Sequence, residues 1–128
     1  MTTNHENKYE MRILRVDLGN GQIHEERIKP EGARKYVGGT GLGAKFLYEE
    51  VPPGVEWSDP KNRMMICTGP LAGTKVAGSG TFSVVSKGPM TNLAGTSQAN
   101  GFFGAFLRYL LGQSPKYSTG QVFDGIWV

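Results

Sequence analysis

Residues 68–104 read TGPLAGTKVAGSGTFSVVSKGPMTNLAGTSQANGFFG, with eight glycines in the thirty-six positions from 69 to 104. Glycine at this density permits positive φ angles and lets the backbone approach a neighbour or a ligand closely. Any fold for this chain must therefore accommodate a long run of turns and close contacts in its second half. Inside the run only residues 82–86, FSVVS, carry the pattern of a regular strand. The aromatic pair Phe102-Phe103 then opens a helix. Two readings follow: a binding face made of glycine loops, or the turn-rich part of a β-rich domain.

The rest of the chain must supply the scaffold. With 128 residues it has material for one core. A hydrophobic content of 38% and a charged content of 20% exclude wholesale disorder. The net charge is +3, and the basic residues are scattered without a stripe interleaved with aromatics, which argues against a nucleic-acid partner. Cys67 is the single cysteine, so this chain has neither an internal disulfide nor a thiolate set for a metal or iron–sulfur site. The polar start, MTTNHENKYE, has no apolar core of a secretory signal, and no run of eighteen apolar residues occurs. A cytoplasmic protein with no membrane partner is the expectation.

Residues 1–10 read as a flexible leader, and residues 11–128 as one domain. In the strand beginning near Met11, Leu14, Val16 and Leu18 alternate with Arg15 and Asp17. Gly19-Asn20-Gly21 is a hairpin turn signal leading to a polar second strand over residues 22–28. Glu25 and Glu26 are adjacent and so point to opposite faces, which excludes a paired-carboxylate site. Pro30 opens a short helix, and a second is predicted over residues 42–50, burying Leu42, Phe46 and Leu47. Between them lies Gly38-Gly39-Thr40-Gly41-Leu42-Gly43. This loop meets neither the dinucleotide fingerprint nor the Walker pattern, since Ala44 stands at the required glycine of both and Phe46 at the Ser/Thr. Trp57 is expected to cap the core from the following loop. Residues 64–67 and 82–86 read as strands, and Cys67 as core filling rather than a reactive thiol. Phe103, Phe106, Leu107 and Leu110 form a helical stripe that reads as core. Residues 122–128 read as a last strand. The sum is an α+β fold: a mixed or antiparallel sheet with two or three helices packed on it.

Five runs in order carry a more specific signal: ILRVDLGNGQIHEERI, ARKYVGGTGLGAKFLYEEVPPGV, ICTGPLAGTKVAGSGTFSVVSKGPMTN, NGFFGAFLRY and FDGIWV. Together they resemble the N-terminal domain of the tungsten-pterin aldehyde:ferredoxin oxidoreductases, over nearly the whole chain from residue 11. The resemblance implies the first half of a base domain on which a tungsten (or molybdenum) bis-pterin lies, its phosphates bridged by magnesium. It also implies aldehyde oxidation at the metal and electron exit through a [4Fe–4S] cluster to ferredoxin. The cluster cysteines would belong to a partner or to domains outside this sequence. The chemistry is then the cofactor's, with the protein supplying placement.

By the same resemblance the cofactor-facing positions are Thr40, Gly80, Thr81, Gln98, Asn100 and Gly101, with Gln98 at the magnesium position. Several depart from the family pattern. Arginines are usual where Thr40 and Thr81 stand, and the family's asparagine, serine, glycine, glycine is replaced by Gln98, Ala99, Asn100 and Gly101. Arginine is the residue best suited to bidentate phosphate contacts, and threonine supplies no charge.

Three functions are carried forward. The first is a cofactor-cradling part of such an oxidoreductase, with no catalytic residue of its own. The second is a cofactor-free structural or interaction subunit on the same scaffold. The third is an independent binder of a small anion or phosphate. Because the family domain has two similar halves, the sheet edge at residues 122–128 is expected to be completed by a second copy or by a larger oxidoreductase subunit bearing the cluster cysteines.

Overall fold

The computed structural model describes residues 11–111 and 126–127. The expected leader over residues 1–10 and most of the last strand lie outside the described residues. The fold is α+β, with three helices as expected, but the strands divide between two small sheets rather than forming one. The first sheet has the order β2-β1-β6, with β1 (Met11–Asp17) antiparallel to β2 (Ile23–Ile28) and parallel to β6 (Ile126–Trp127). The second is antiparallel, β3-β4-β5, from Met65–Thr68, Phe82–Lys87 and Ala94–Ala99. Helix α1 (Pro30–Tyr36) and helix α2 (Gly39–Glu50) connect the sheets, and α3 (Phe102–Leu111) follows β5.

The first hairpin forms where its turn signal lies. Asp17 Oδ1 accepts from the Gly19 amide at 2.8 Å, and the Asp17 amide donates to Gln22 O at 2.9 Å. The inward face of β1 is the opposite of the expected one. Met11 and Ile13 are buried, while Leu18 is exposed. Arg15 continues the inward face: its guanidinium lies 5.5 Å from the centre of the Phe46 ring and holds Glu50 through two hydrogen bonds of 2.9 and 2.6 Å. A cation can occupy this position because the fork geometry satisfies it while its stem covers apolar surface. The hydrogen bonding to Glu50 is the chief reason the guanidinium is held even more firmly charged than usual, against the opposing effect of burial. Glu50→Gln is expected to cost about 1–2 kcal/mol, between the exposed and buried limits for ion pairs, read as a lower denaturation midpoint.

Helix α2 joins the two sheets. Leu42, Phe46 and Leu47 pack with Met11 and Ile13 of β1 and with Met65, Cys67 and Val85 of β3 and β4. It begins three residues earlier than predicted, so the glycine loop is the helix's own first turn. Gly43 lies against the sheet: a Cβ there would stand 2.7 Å from Val85 Cγ2 and 3.1 Å from Cys67 Sγ. Trp57 does not cap the core, being half exposed; Val55 is buried instead, and its carbonyl accepts from Lys87 Nζ.

Two further expectations fail for related reasons. Residues 94–99 form a strand although AGTSQA has no apolar alternation, and all six are exposed. In the expected α3 stripe Phe103 and Phe106 face outward to a large degree, as does neighbouring Phe102, while Leu107 is half-buried and the Leu110 side chain lies outside the described residues. The helix instead docks through the buried Gly104, whose Cβ position is 3.2 Å from Gly80 O. Phe103 packs against Phe82, the ring centres 4.7 Å apart.

Candidate functional site

The start of α2 meets β4 and β5 at a small polar network. The Thr40 hydroxyl donates to Ser83 Oγ at 3.1 Å, lies 3.2 Å from Thr96 Oγ1, and accepts from Gln98 Nε2 at 3.2 Å. A hydroxyl has one proton and two lone pairs, so with the proton on Ser83 the other two bonds are accepted, and Thr96 is a donor. The β4–β5 register explains the grouping. Ser83 pairs with Gln98, and Val85 with Thr96, so Ser83, Thr96 and Gln98 share the face on which α2 sits. Thr81 and Asn100 continue both strands on that same face just beyond the helix, and the Thr81 hydroxyl donates to Asn100 Oδ1.

Past this pair the two segments come into backbone contact. A Cβ on Gly80 would lie 2.6 Å from Gly101 O. Gly101 has a φ of 129° with nothing within 4 Å of its own Cβ position, so it presents bare backbone to open space. At the other end of the network, Gly38 ends the α1–α2 junction with φ 135°, its Cβ position 2.6 Å from Thr68 O. Between α1 and Gly38, Val37 takes φ 63°, an uncommon conformation for a β-branched residue. The first turn of α2 contributes unbonded N–H groups and the positive end of the helix to the same surface.

All six residues singled out from the sequence thus fall on or beside one strip: Thr40 with Gln98, Thr81 with Asn100, and Gly80 with Gly101. Ser83 and Thr96 were missed. Their signal was the period-2 spacing of Thr96, Gln98 and Asn100, which becomes readable once β5 is known to be a strand. The strip's donors and acceptors are all neutral. Among the described residues, no group of three or more His, Cys, Asp or Glu is placed to hold a metal ion, and no helix is long and apolar enough to cross a membrane.

The family model described as aldehyde ferredoxin oxidoreductase, N-terminal domain, matches residues 13–113, and the chain belongs to that family. It is 38% identical over 98 residues to the tungsten-containing aldehyde ferredoxin oxidoreductase of Pyrococcus horikoshii, covering 77% of this chain and 16% of that protein. It is also 34% identical over 121 residues to the WOR-like subunit of an aliphatic sulfonate oxidoreductase of Pyrococcus furiosus, covering 92% of this chain and 17% of that one. Among solved structures, the active site complex BamBC of benzoyl coenzyme A reductase with 1,5-dienoyl-CoA superimposes with a TM-score of 0.72 at 33% identity, covering 89% of this chain and 16% of that one. The chain therefore spans about one-sixth of the length of the relatives it matches.

Proposed function

We propose that this chain is the cofactor-facing base of an aldehyde ferredoxin oxidoreductase-type enzyme, carrying no catalytic group of its own. The observation that carries the reading is the convergence of Thr40, Gln98, Thr81 and Asn100 on one open, glycine-rimmed face in a chain of this family. A tungsten or molybdenum bis-pterin would supply the redox chemistry. The residues present fit the neutral, flat part of such a group: Ser83, Thr96, Gln98 and Asn100 offer hydroxyl and amide partners for ring edges, and Gly101 leaves room for close approach. None of these side chains carries a positive charge to offset its phosphates. Phosphate neutralisation, a magnesium ion and the [4Fe–4S] cluster then belong to other residues of the assembly.

A second reading is favoured by one specific observation. The Thr40 hydroxyl already uses its proton and both lone pairs within the chain, so the group at the centre of the network is satisfied without a ligand. That is the arrangement expected of a cofactor-free scaffold on the same fold. Metal and pterin analysis of the protein purified from its own source separates the two. Tungsten or molybdenum near one equivalent, with pterin and a larger cysteine-bearing polypeptide, is the expected result for the first; a metal- and pterin-free protein supports the second.

A further inference from the structure

Strand β3 ends at Thr68, β4 begins at Phe82, and these two residues pair directly. Residues 69–81 therefore form a thirteen-residue loop closed at its base. Loops of about that length without a helix or strand of their own are uncommon in compact domains and are usually functional or disordered. This one is shaped by local turns. The Ala72 amide donates to Gly69 O at 3.1 Å, the Thr74 amide to Leu71 O at 3.0 Å and the Ser79 amide to Val76 O at 3.3 Å. It buries little apolar surface, since Leu71 and Val76 are exposed and Ala72 is its buried hydrophobic side chain.

Helix α3 touches this loop at both ends. Arg108 Nη1 carries two N–H groups, which donate to Pro70 O at 2.9 Å and to Ala72 O. Hydrogen bonds from a charged donor are stronger than those between neutral groups. One turn earlier on the same face of the helix, Gly104 lies against Gly80, its Cβ position 3.2 Å from Gly80 O. Gly80 in turn meets the backbone of Gly101, just ahead of the helix. Arg108 thus ties down the start of the loop and Gly104 its end. Meanwhile α3 leaves Phe102, Phe103 and Phe106 largely exposed.

We propose that Arg108 is a positioning residue that latches the 69–81 loop to α3, so that loop and helix open together as one local unit while α2 and the sheets stay closed. Segments with few buried apolar contacts open at lower free energy than the core on which they sit. Opening of this unit parts Gly80 from Gly101 and Gly104, and so dismantles the rim beside Thr81 and Asn100. The latch concerns the shape of the rim and holds whatever ligand the rim meets.

Amide hydrogen exchange on the full chain tests this. Arg108→Met keeps a long apolar stem and removes the donors. Exchange at Ala72, Thr74 and Ser79 should quicken roughly tenfold or more, Phe106 and Leu107 should move by the same factor, and Leu47 and Val85 should keep their rates. Arg108→Lys, whose ammonium can still donate to both carbonyls, should stay within about threefold of the unsubstituted chain. The proposal is overturned by unchanged exchange in Arg108→Met, by quickening in the loop without α3, or by equal quickening at Leu47 and Val85. An Arg108→Lys chain that exchanges as fast as Arg108→Met overturns it too. Should Arg108→Met not fold, the unsubstituted chain decides. In rising urea below the unfolding transition, loop and α3 amides should converge on one opening free energy lower than that of α2. Separate values for loop and helix, or a shared value equal to that of α2, overturn the proposal.

Discussion

Gly38→Ala is expected to lower the stability of this chain by about 3–5 kcal/mol, combining backbone strain with a core clash. Two effects act at one atom. The φ of 135° lies where L side chains rarely go, and the new methyl would sit 2.6 Å from Thr68 O and 3.3 Å from Gly69 Cα. Both obstacles are backbone, and Thr68 is fully buried in β3, so neither can swing aside. Against a typical total of 5–15 kcal/mol the loss is large, and thermal unfolding should begin roughly 15 °C earlier. Gly54→Ala is the matched control. Gly54 also has a positive φ, 78°, but nothing lies within 4 Å of its Cβ position. It should cost only about 1 kcal/mol, and the difference between the two measures the contact between the α2 start and β3. Equal midpoints for the two variants would remove that contact as the cause.

The second large effect is at Gly43, where two contributions oppose each other. Alanine in a helix interior is favoured over glycine by about 1 kcal/mol. Overpacking a filled core costs typically about 1–3 kcal/mol. Here the methyl would stand 2.7 Å from Val85 Cγ2, 3.0 Å from Val85 Cβ and 3.1 Å from Cys67 Sγ. Val85 is β-branched and buried, and Cys67 is fully buried, so the neighbours have little freedom to yield. Overpacking wins, with a net loss of about 2 kcal/mol. Val85→Ala alone leaves a cavity and is also destabilising. The double variant Gly43→Ala with Val85→Ala should lose less than the sum of the two, because the second substitution removes the atom the first collides with. Strict additivity in urea titrations would show that the helix shifts instead of clashing.

Much of this architecture was readable from local pattern. The Gly19-Asn20-Gly21 turn, the proline start of α1, and the apolar Leu42, Phe46 and Leu47 each announced an element that formed. Misreadings arose where a local pattern is answered by something distant. The alternation of Leu14, Val16 and Leu18 implied one inward face for β1, but Glu50, thirty-five residues away, makes Arg15 an acceptable inward residue. Strand β5 was invisible because alternation marks a half-buried strand, and this one is exposed on both faces. The α3 stripe has a core-like spacing while Phe103 and Phe106 are largely exposed, so periodicity recorded an apolar face without saying what covers it. The site was legible in its residue types and not in its geometry. Nothing in the sequence joins Thr40 to Gln98, fifty-eight positions on, except the register of β4 with β5.

The single cysteine gains a use from its position. Cys67 is 0% exposed in β3, beneath the glycine by which α2 lies closest to the sheet. Thiol reagents reach a buried cysteine only when the surrounding structure opens. Lifting α2 from the second sheet would uncover Cys67 and also carry Thr40 away from Ser83, Thr96 and Gln98. Cys67 thus offers a chemical reporter on any opening that exposes β3 beneath α2.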